Sequence, residues 1–325
     1  MEHEVEIPEK IEKEQICFGS DAVLNNAHAI HIGYGMDENF AMPTGVSIFS
    51  VLKNNAAESI VFHILTEKIS DESQQKFREI ADEFPNCMIV IHILDVQILD
   101  GLPVFSSLGK AAYFRILLES VLPDSICSVL YLDGDVLCLN AIRSLLDKSF
   151  DGNTIMAVKD VPATAKTQEA KFRVHDYFNS GVLYINLVQW RREKVTEAFL
   201  NVFYRQKDEL NHLDQDALNI VLNDQKLILE QRFNYISDRI ETQDVPPQTI
   251  FLHYAGTKPW YFWLDFPLQK YFKNYYRISP WRNQPLNEPR NYREMHYMSR
   301  AYWRKKKYAQ SLKWLVRYLI TKAKA

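Results

Sequence analysis

Short apolar runs alternate with helix-like segments through the first half of the chain, and this alternation constrains the fold more than any other feature. Apolar runs of about four to eight residues are typical of buried strands, whereas apolar residues at every third or fourth position indicate amphipathic helices. Strands that alternate with helices favour a mainly parallel sheet. We therefore predict an α/β fold, with strands at 29–34, 60–65, 88–94 and 128–132 and helices at 46–52, 72–83, 111–122 and 141–146.

The second half of the chain is more mixed, with predicted strands at 181–186 and 249–254 and predicted helices at 196–205 and 216–222. No clear linker separates the two halves, so we predict a single domain over residues 28–275. Residues 1–27 are predicted to be an N-terminal extension in the form of a loose arm, because their mixture of Glu and Lys offers little to bury.

Charge is distributed unevenly along the chain. The net charge is −3, but residues 290–325 contain eleven Lys and Arg side chains and a single acid, Glu294. Leu312, Val316 and Leu319 fall on one helical face of this segment, and basic residues fall on another. A basic amphipathic helix is typical of a segment that lies on a membrane surface. We predict a helical, basic region over 276–325 that associates with a membrane; a helix packed on the domain with a solvated basic face is the alternative.

An apolar strand is followed by two aspartates, Asp133 and Asp135, with Gly134 between them. In open α/β sheets, ligands bind at the carboxyl ends of the strands. Both carboxylates can reach one divalent cation if the chain turns after Asp133, and glycine eases such a turn. A turn with solvated carboxylates is the alternative interpretation.

A second polar cluster ends the apolar run at 249–254. His253 closes the run, Gly256 permits close approach of the backbone, and Lys258 supplies a positive charge. An imidazole, a glycine amide and an ammonium suit a diphosphate bridged to a metal ion. On its own, His253 would more often be a hydrogen-bonded structural residue. Together, the two segments predict a site for a metal ion and a pyrophosphate.

These motifs, in this order over residues 29–260, resemble glycosyltransferase family 8, especially the bacterial lipopolysaccharide core hexosyltransferases. The resemblance implies a Rossmann-like, nucleotide-sugar-binding domain of the GT-A type. It also implies retaining transfer of glucose or galactose from a UDP-sugar, with Mn²⁺ or Mg²⁺ held by Asp133, Asp135 and His253. The ion would neutralise the charge that develops on the departing UDP.

The same resemblance implies roles for further residues. Asp37 and Asn39 would bond the uracil and ribose, and Phe40 would stack on the base; a helix cap is the alternative for this segment. Without the resemblance, Arg115 would pass for a surface arginine and Asp214 for an acid in a first helical turn. The resemblance implies Gly134, Gly256 and Lys258 near the phosphates, Arg115 at the sugar and phosphate, and Asn179, Asp214 and Gln215 at the reacting sugar. Because Gln215 is a poor nucleophile, front-face attack by the acceptor is favoured over a covalent intermediate.

A lipopolysaccharide core acceptor would explain the basic C-terminal region, which would hold the protein at the cytoplasmic surface of the inner membrane. The charged N-terminus has neither the apolar stretch of a signal peptide nor the character of a transit peptide, so we predict a cytoplasmic, peripherally membrane-associated enzyme. The alternatives are a glycogenin-like or other transferase with a soluble acceptor, and a non-enzymatic binder of nucleotide sugars or nucleic acid. Residues 28–260 contain no recognisable nucleic-acid-binding motif, so nucleic acid is not the expected partner.

Overall fold

The computed structural model describes residues 8, 10–103, 109–237, 242–264, 266–286, 289 and 291–324. Within them, the large sheet has eight strands in the order β1-β4-β3-β2-β5-β8-β7-β9, and β10, β11 and β6 form a small sheet. The strands are β1 (Glu12–Gly19), β2 (Ile30–Gly35), β3 (Ile60–Thr66), β4 (Cys87–Leu94), β5 (Ser128–Leu132), β6 (Val136–Cys138), β7 (Ile155–Lys159), β8 (Phe178–Asn186), β9 (Lys226–Leu229), β10 (Tyr235–Ile236) and β11 (Phe251–His253).

The large sheet is mainly parallel. Strands β4, β3, β2 and β5 are successive parallel neighbours, and β9 is parallel to β7. Strands β1 and β8 run antiparallel to their neighbours. Every residue of β3 is buried, which is why its sequence reads as an almost continuous apolar run. The predicted α/β fold with a mainly parallel sheet is confirmed.

Helices α2 and α3 cover one face of the large sheet, and α7, α8 and α9 cover the other. Helix α3 begins where Oγ of Ser70 accepts a hydrogen bond from the amide of Ser73 at 3.2 Å, because an N-cap side chain satisfies an amide that has no helical partner. The helices are α1 (Asp21–Leu24), α2 (Ala41–Asn54), α3 (Asp71–Glu83), α4 (Leu118–Val121), α5 (Arg143–Leu146), α6 (Pro162–Phe172), α7 (Leu187–Arg192), α8 (Val195–Gln206), α9 (Asp214–Val221), α10 (Gln269–Ile278), α11 (Tyr292–Arg304) and α12 (Tyr308–Ala323). Short 3₁₀ segments occur at Glu38–Phe40, Gln97–Leu99, Lys110–Leu117, Lys207–Glu209 and Gln231–Phe233.

Successive residues of the central strands belong to two different cores. In β5, Leu130 packs in one hydrophobic cluster and Tyr131 in the other, because side chains alternate across a strand. The first cluster also holds α2 against Trp281. A Cβ at Gly45 of α2 would lie 2.0 Å from the ring of Trp281, so this close approach requires glycine.

The prediction of a loose N-terminal arm is wrong for the residues that form β1. This strand pairs with β4 from Glu12 to Gly19, and Phe18 is buried. Glu12 also contacts Nδ1 of His92, whose Nε2 is 3.0 Å from Nδ1 of His63. The polar composition concealed the strand because an edge strand is held largely by backbone hydrogen bonds, which any residue except proline can make.

Helices α11 and α12 form what we call the C-terminal hairpin. The hydroxyl groups of Ser299 and Ser311 each donate to the other residue's carbonyl oxygen at 2.9 Å, and Trp314 packs in a cluster with Trp263. Among the described residues, no helix is long and apolar enough to cross a membrane. The division of the chain at residues 27 and 275 stays a prediction.

Candidate active site

Two backbone pairings bring the Asp133 segment and His253 together. The amide of Asp133 donates to the carbonyl oxygen of Gly181 at 2.8 Å, and the chain then turns at Gly134 so that the amide of Val136 bonds the carbonyl of Asp133 at 3.0 Å. Strand β6 then pairs with β11, and this register sets His253 opposite Val136. The small sheet therefore carries a histidine from a distant part of the sequence to the carboxyl end of β5.

Asp133, Asp135 and His253 form a cluster of possible metal ligands. One ligand atom from each residue lies within 4.8 Å of the others. Nε2 of His253 is 3.3 Å from Oδ1 of Asp135. This carboxylate oxygen is buried and accepts no hydrogen bond from the described residues. Such an oxygen costs free energy unless a partner reaches it, and a cation would be such a partner.

The hydrogen bonds of His253 indicate which ring nitrogen carries the proton. Its Nδ1 is 3.2 Å from Oδ1 of Asn234, and Nδ2 of Asn234 donates to Oδ1 of Asn179 at 2.9 Å. An amide oxygen can only accept, so Nδ1 is protonated and Nε2 has a free lone pair when the ring is neutral. That lone pair and the oxygen of Asp135 then face each other with no proton between them. The donor set therefore fits a divalent cation, with Asn234 orienting the imidazole ligand.

Gly181 makes room for this cluster. A Cβ at this position would lie 2.3 Å from Cε1 of His253 and 2.8 Å from Oδ2 of Asp133. Any other residue would therefore push the imidazole and the carboxylate apart. No role was predicted for Gly181, although its position directly after Asn179 and Ser180 is a signal that the sequence contained.

Lys258 neutralises Asp135 from another side. Its ammonium contacts Oδ2 of Asp135 and donates to the carbonyl oxygen of Tyr254 at 2.9 Å. Burial raises the pKa of the Asp135 carboxyl group, but the interactions with Lys258 and His253 together outweigh burial and hold that pKa well below its usual range. Asp135 is therefore ionised at neutral pH.

Arg115 is buried between two carboxylates, so the interpretation of it as a surface arginine is wrong. Its Nη2 is 2.8 Å from Oδ1 of Asp133 and its Nε is 3.2 Å from Oδ2 of Asp214. Its Nη1 donates to the carbonyl oxygen of Ser180 at 2.5 Å. Burial acts to lower the pKa of Arg115, but the charges of Asp133 and Asp214 raise it above its usual value. The guanidinium group thus joins three segments: Asp133 after β5, Ser180 in β8 and Asp214 at the start of α9.

Asp214 is the first residue of α9, as expected for an acid in a first helical turn. Burial raises its pKa to about 6, although the charge of Arg115 opposes the rise. The carboxylate therefore stays mostly ionised at neutral pH, where it shares Arg115 with Asp133.

Gln215, the next residue, is held by four hydrogen bonds. Its Oε1 accepts from Nδ2 of Asn179 and from the amide of Ser180, both at 3.1 Å. Its Nε2 donates to Oδ2 of Asp160 at 2.6 Å and to the hydroxyl oxygen of Tyr177 at 3.2 Å. These bonds use the hydrogen-bonding capacity of the amide and fix its orientation. Asp160 and Tyr177 were not among the predicted site residues, since nothing in their local sequence indicates a contact with Gln215.

A cavity of about 430 Å³ opens beside these side chains. Most of the predicted site residues line it: Phe40, Arg115, Asp133, Gly134, Asp135, Asn179, Asp214, Gln215, His253, Gly256 and Lys258. Two others, Asp37 and Asn39, line a neighbouring cavity of about 440 Å³. The two cavities share Met36 and Ala111, so together they form a continuous surface.

The predicted alternative for the segment at Asp37, a helix cap, is also present. Oδ1 of Asp37 accepts a hydrogen bond from the amide of Phe40 at 3.1 Å, which caps the 3₁₀ turn before α2. The ring of Phe40 meets Trp260 edge to face at a centroid distance of 5.6 Å. Phe40 is half-buried, and its side chain lines the cavity.

Comparison with known proteins adds to this geometry. Residues 31–264 match the family described as glycosyl transferase family 8, and residues 266–322 match its C-terminal family. The chain is 31% identical over 309 residues to lipopolysaccharide 1,3-galactosyltransferase of Salmonella typhimurium, covering 90% of this chain and 91% of that protein. It is 30% identical over 282 residues to lipopolysaccharide 1,2-glucosyltransferase of Escherichia coli, covering 82% and 83%. The solved structure of galactosyltransferase LgtC with donor and acceptor sugar analogs has a TM-score of 0.66 at 24% identity, covering 81% of this chain and 99% of that one.

Proposed function

The chain belongs to glycosyltransferase family 8 and has the GT-A fold, and we propose that it transfers glucose or galactose from a UDP-sugar to a lipopolysaccharide core oligosaccharide. Transfer proceeds with retention of the anomeric configuration and depends on a divalent metal ion. The two lipopolysaccharide glycosyltransferases similar to this chain, one for galactose and one for glucose, support the acceptor class and leave both hexoses as candidates.

One observation carries the proposal: a three-ligand cluster lies on the same cavity as a buried arginine and a fully bonded glutamine. Asp133, Asp135 and His253 form the cluster, and Arg115 and Gln215 lie on the cavity beside it. A nucleotide-sugar donor has a diphosphate that needs positive charge and a hexose that needs directed hydrogen-bonding groups. Arg115 and a cation at the cluster would meet the first need, and Asn179 and Asp214, which line the same cavity of about 430 Å³, would meet the second.

Asp133, Asp135 and His253 would hold Mn²⁺ or Mg²⁺, both of which accept carboxylate ligands. When bound, the ion supplies positive charge to the leaving diphosphate. Lys258, whose ammonium contacts Asp135 at the edge of the cluster, would bond a phosphate oxygen of the donor. Gly256 leaves room for the phosphates, since a Cβ there would meet no other atom within 4 Å.

The neighbouring cavity would take the nucleoside. Asp37 and Asn39 line it, and their side chains would bond uracil and ribose. Phe40 lies on the cavity beside it and would stack on the base. Gly134 lines the same cavity and would lie beside the diphosphate. A Cβ at this position would lie 2.5 Å from Oγ1 of Thr44 on α2, so glycine lets the loop approach α2 closely.

Around the donor hexose, the bonded network gives each residue a task. Arg115 would bind a sugar hydroxyl or phosphate oxygen while it keeps Asp133 and Asp214 in position. Asn179 and the carboxylate of Asp214 would bond sugar hydroxyls. Gln215 would lie at the anomeric carbon, where its amide oxygen stabilises the positive charge of the oxocarbenium-like transition state. Because a neutral amide is a poor nucleophile, retention through front-face attack by the acceptor fits this residue better than a covalent intermediate does.

The C-terminal hairpin would hold the enzyme on the cytoplasmic surface of the inner membrane, where a lipid-anchored acceptor is accessible. Five apolar side chains of α12 are exposed and recur at helical spacing: Leu312, Leu315, Val316, Leu319 and Ile320. Lys313 on the same helix is also exposed. An exposed apolar stripe beside basic residues matches the interfacial zone of an anionic bilayer.

The test is incubation of the purified protein with Mn²⁺ and a panel of UDP-sugars, with and without lipopolysaccharide truncated in its core. Released UDP is measured, and the configuration of the new glycosidic bond is read by NMR. We expect UDP-glucose or UDP-galactose to be consumed faster with the acceptor and the product to be α-linked. A soluble glucan that replaces lipopolysaccharide as acceptor would favour the glycogenin-like alternative, and no turnover with any UDP-hexose would overturn the proposal.

A further inference from the structure

The backbone takes a rare conformation directly before Asp214. Leu213 has φ 43° and ψ −111°, and its side chain is buried. Positive φ is disfavoured for a residue with a Cβ, especially a bulky one, and persists only where surrounding contacts enforce it. The residues on both sides, His212 and Asp214, line the cavity together with Leu213. The strained turn therefore lies within the wall of the proposed donor site.

Asp216 supplies contacts that enforce this turn. Its Oδ2 accepts hydrogen bonds from the amides of Asn211 at 2.7 Å and His212 at 2.8 Å, the two residues before Leu213. The carboxylate lies on the first turn of α9, after Leu213. One side chain thus joins the chain on both sides of the strained residue.

The other oxygen of Asp216 extends the connection to Gln215. Oδ1 accepts a hydrogen bond from the hydroxyl of Tyr177 at 2.5 Å, and the same hydroxyl oxygen accepts from Nε2 of Gln215 at 3.2 Å. Asp216 has no exposed surface and is not among the described residues that line the cavity. It therefore contacts the site only through its neighbours.

We propose that Asp216 is a positioning residue: it holds Leu213 in its strained conformation and so sets Asp214 and Gln215 against the donor hexose. The expected effect of Asp216 on the reaction rate rests on the proposed function. Its expected effect on the conformation of Leu213 is independent of that function. A nucleophilic role for Asp216 conflicts with the geometry, because both oxygens are occupied and the group is enclosed.

Substitution at position 216 separates the two roles. In Asp216→Asn, the remaining oxygen accepts from both amides, and the new NH₂ can donate to the hydroxyl oxygen of Tyr177, although the proton of that hydroxyl loses its acceptor. In Asp216→Ala, all three bonds are lost. We expect Asp216→Asn to keep kcat within about fivefold of the wild type and Asp216→Ala to lower it about 50-fold or more, the scale of a small misplacement of reacting groups. The affinity for UDP, measured by calorimetry, should stay within about twofold in both, because the nucleotide contacts lie elsewhere. An Asn variant as inactive as the Ala variant, with UDP binding intact, would overturn the positioning role in favour of direct chemistry.

A second experiment tests the link to Leu213. Leu213→Ala and Leu213→Gly both remove the buried side chain, but only glycine takes positive φ without strain. The loss in kcat caused by Asp216→Ala is therefore compared in the two backgrounds. If strain accounts for most of this loss, the loss should be about tenfold smaller in the Leu213→Gly background than in the Leu213→Ala background. Equal losses in the two backgrounds would mean that Asp216 does not act through this turn.

Hydrogen exchange gives a readout that needs no turnover. The amides of Asn211 and His212 should be protected in the wild type and in Asp216→Asn, and they should exchange much faster in Asp216→Ala. If no UDP-hexose is turned over, the proposed function fails, but this exchange pattern still supports the proposal that Asp216 holds the turn at Leu213. If turnover is found but exchange at these amides is the same in all three proteins, the positioning inference fails and the proposed function stands.

Discussion

The polar side chains that line the cavity are largely buried, whereas many side chains of the C-terminal hairpin, including apolar ones, are exposed. Around the cavity, Arg115 and Gln215 are buried, and each bonds groups from several distant segments. On the hairpin, Leu312 and Leu319 of α12 are 61% and 56% exposed. The proposed reaction at the cavity depends on the exact positions of a few atoms. Attachment through the hairpin would depend on the summed contributions of many exposed side chains.

This difference determines how each region should respond to substitution. Removing one bonded group from a buried network leaves its partners unsatisfied, which is costly. Removing one exposed charge or apolar group from a surface weakens the free energy of binding only by the contribution of that group. We therefore expect large effects of single substitutions at the cavity and small, nearly additive effects on the hairpin.

The largest effect is expected at the metal cluster. Asp135→Ala should lower kcat by about 100-fold or more, which is the scale of removing a group that stabilises developing charge. The measurement is UDP release in Mn²⁺ with the donor at saturation, and EDTA should suppress the wild type in the same assay. Asp147→Ala is the matched control, since that carboxylate is 64% exposed at the end of α5. Similar rates in the Asp135→Ala and Asp147→Ala variants would show that Asp135 has no part in the reaction.

A tenfold smaller effect is expected where the cavity takes the base. Phe40→Ala should weaken UDP binding by about 1–2 kcal/mol through the loss of ring contact. Phe40→Tyr keeps the aromatic face and should bind UDP almost as the wild type does, as measured by isothermal titration calorimetry. Equal affinities in all three proteins would mean that Phe40 serves only to pack against Trp260.

On the hairpin, the expected effects are smaller for each residue. Leu312→Ser and Val316→Ser remove exposed apolar groups, and Lys313→Gln removes a charge worth about 1 kcal/mol near an anionic surface. Each should reduce sedimentation with anionic vesicles by a few-fold, and the combination should reduce it by roughly the product of the single effects. High salt should reduce vesicle binding by the wild type, because it screens the attraction between basic side chains and anionic lipids. It should reduce vesicle binding by Lys313→Gln less, because this variant has one charge fewer.

Val188→Ser is the control for these hairpin variants, because this valine is also exposed, at 54%, but lies on α7. If Val188→Ser reduces vesicle binding as much as Val316→Ser does, the attachment is not specific to the hairpin. Hydrolysis of the UDP-sugar in solution should be normal in the hairpin variants, because the donor site lies in a different part of the fold.

The smallest effect is expected inside the hairpin. Ser311→Ala removes a hydroxyl that bonds the carbonyl oxygen of Ser299 and should lower the free energy of unfolding by about 1 kcal/mol or less. Gln310→Ala, at an exposed neighbouring position, should leave this free energy unchanged. Denaturation by urea measures both. A loss of UDP binding in Ser311→Ala would show that the hairpin and the cavity are coupled.

Local patterns were sufficient to predict five strands of the large sheet (β2, β3, β4, β5 and β8) and its ligand edge, but not β1, β7 or β9. The buried strand before Asp133 appears as an apolar run, and polar residues after such a run mark the carboxyl end of a strand. The resemblance to a family then supplied residues such as Arg115, whose local sequence is that of an ordinary amphipathic segment. Its burial between Asp133 and Asp214 could not be predicted from spacing, because all three lie on different segments.

Other features depend on contacts that no local pattern records. Strand β1 has a polar sequence and was predicted as a loose arm, yet β4 provides it with a full set of backbone partners. A helix was predicted over 111–122, but the structure has a 3₁₀ segment at Lys110–Leu117 followed by the short α-helix α4. In the 3₁₀ segment, Nε of Arg115 donates to the carbonyl oxygen of Ala112 at 3.0 Å. Asp160 and Asp216 act through partners distant in the sequence or through a strained turn, so their importance emerges only in three dimensions.

The most direct test of the account is a titration of Mn²⁺ in the presence of UDP, followed by the electron paramagnetic resonance signal of the free ion. We predict that the wild type binds a single ion per chain. His253→Ala should weaken that binding by at least about tenfold, while circular dichroism shows an unchanged fold. Equal Mn²⁺ binding by the wild type and His253→Ala, or no binding by the wild type with UDP present, would contradict the assignment of Asp133, Asp135 and His253 as the metal site.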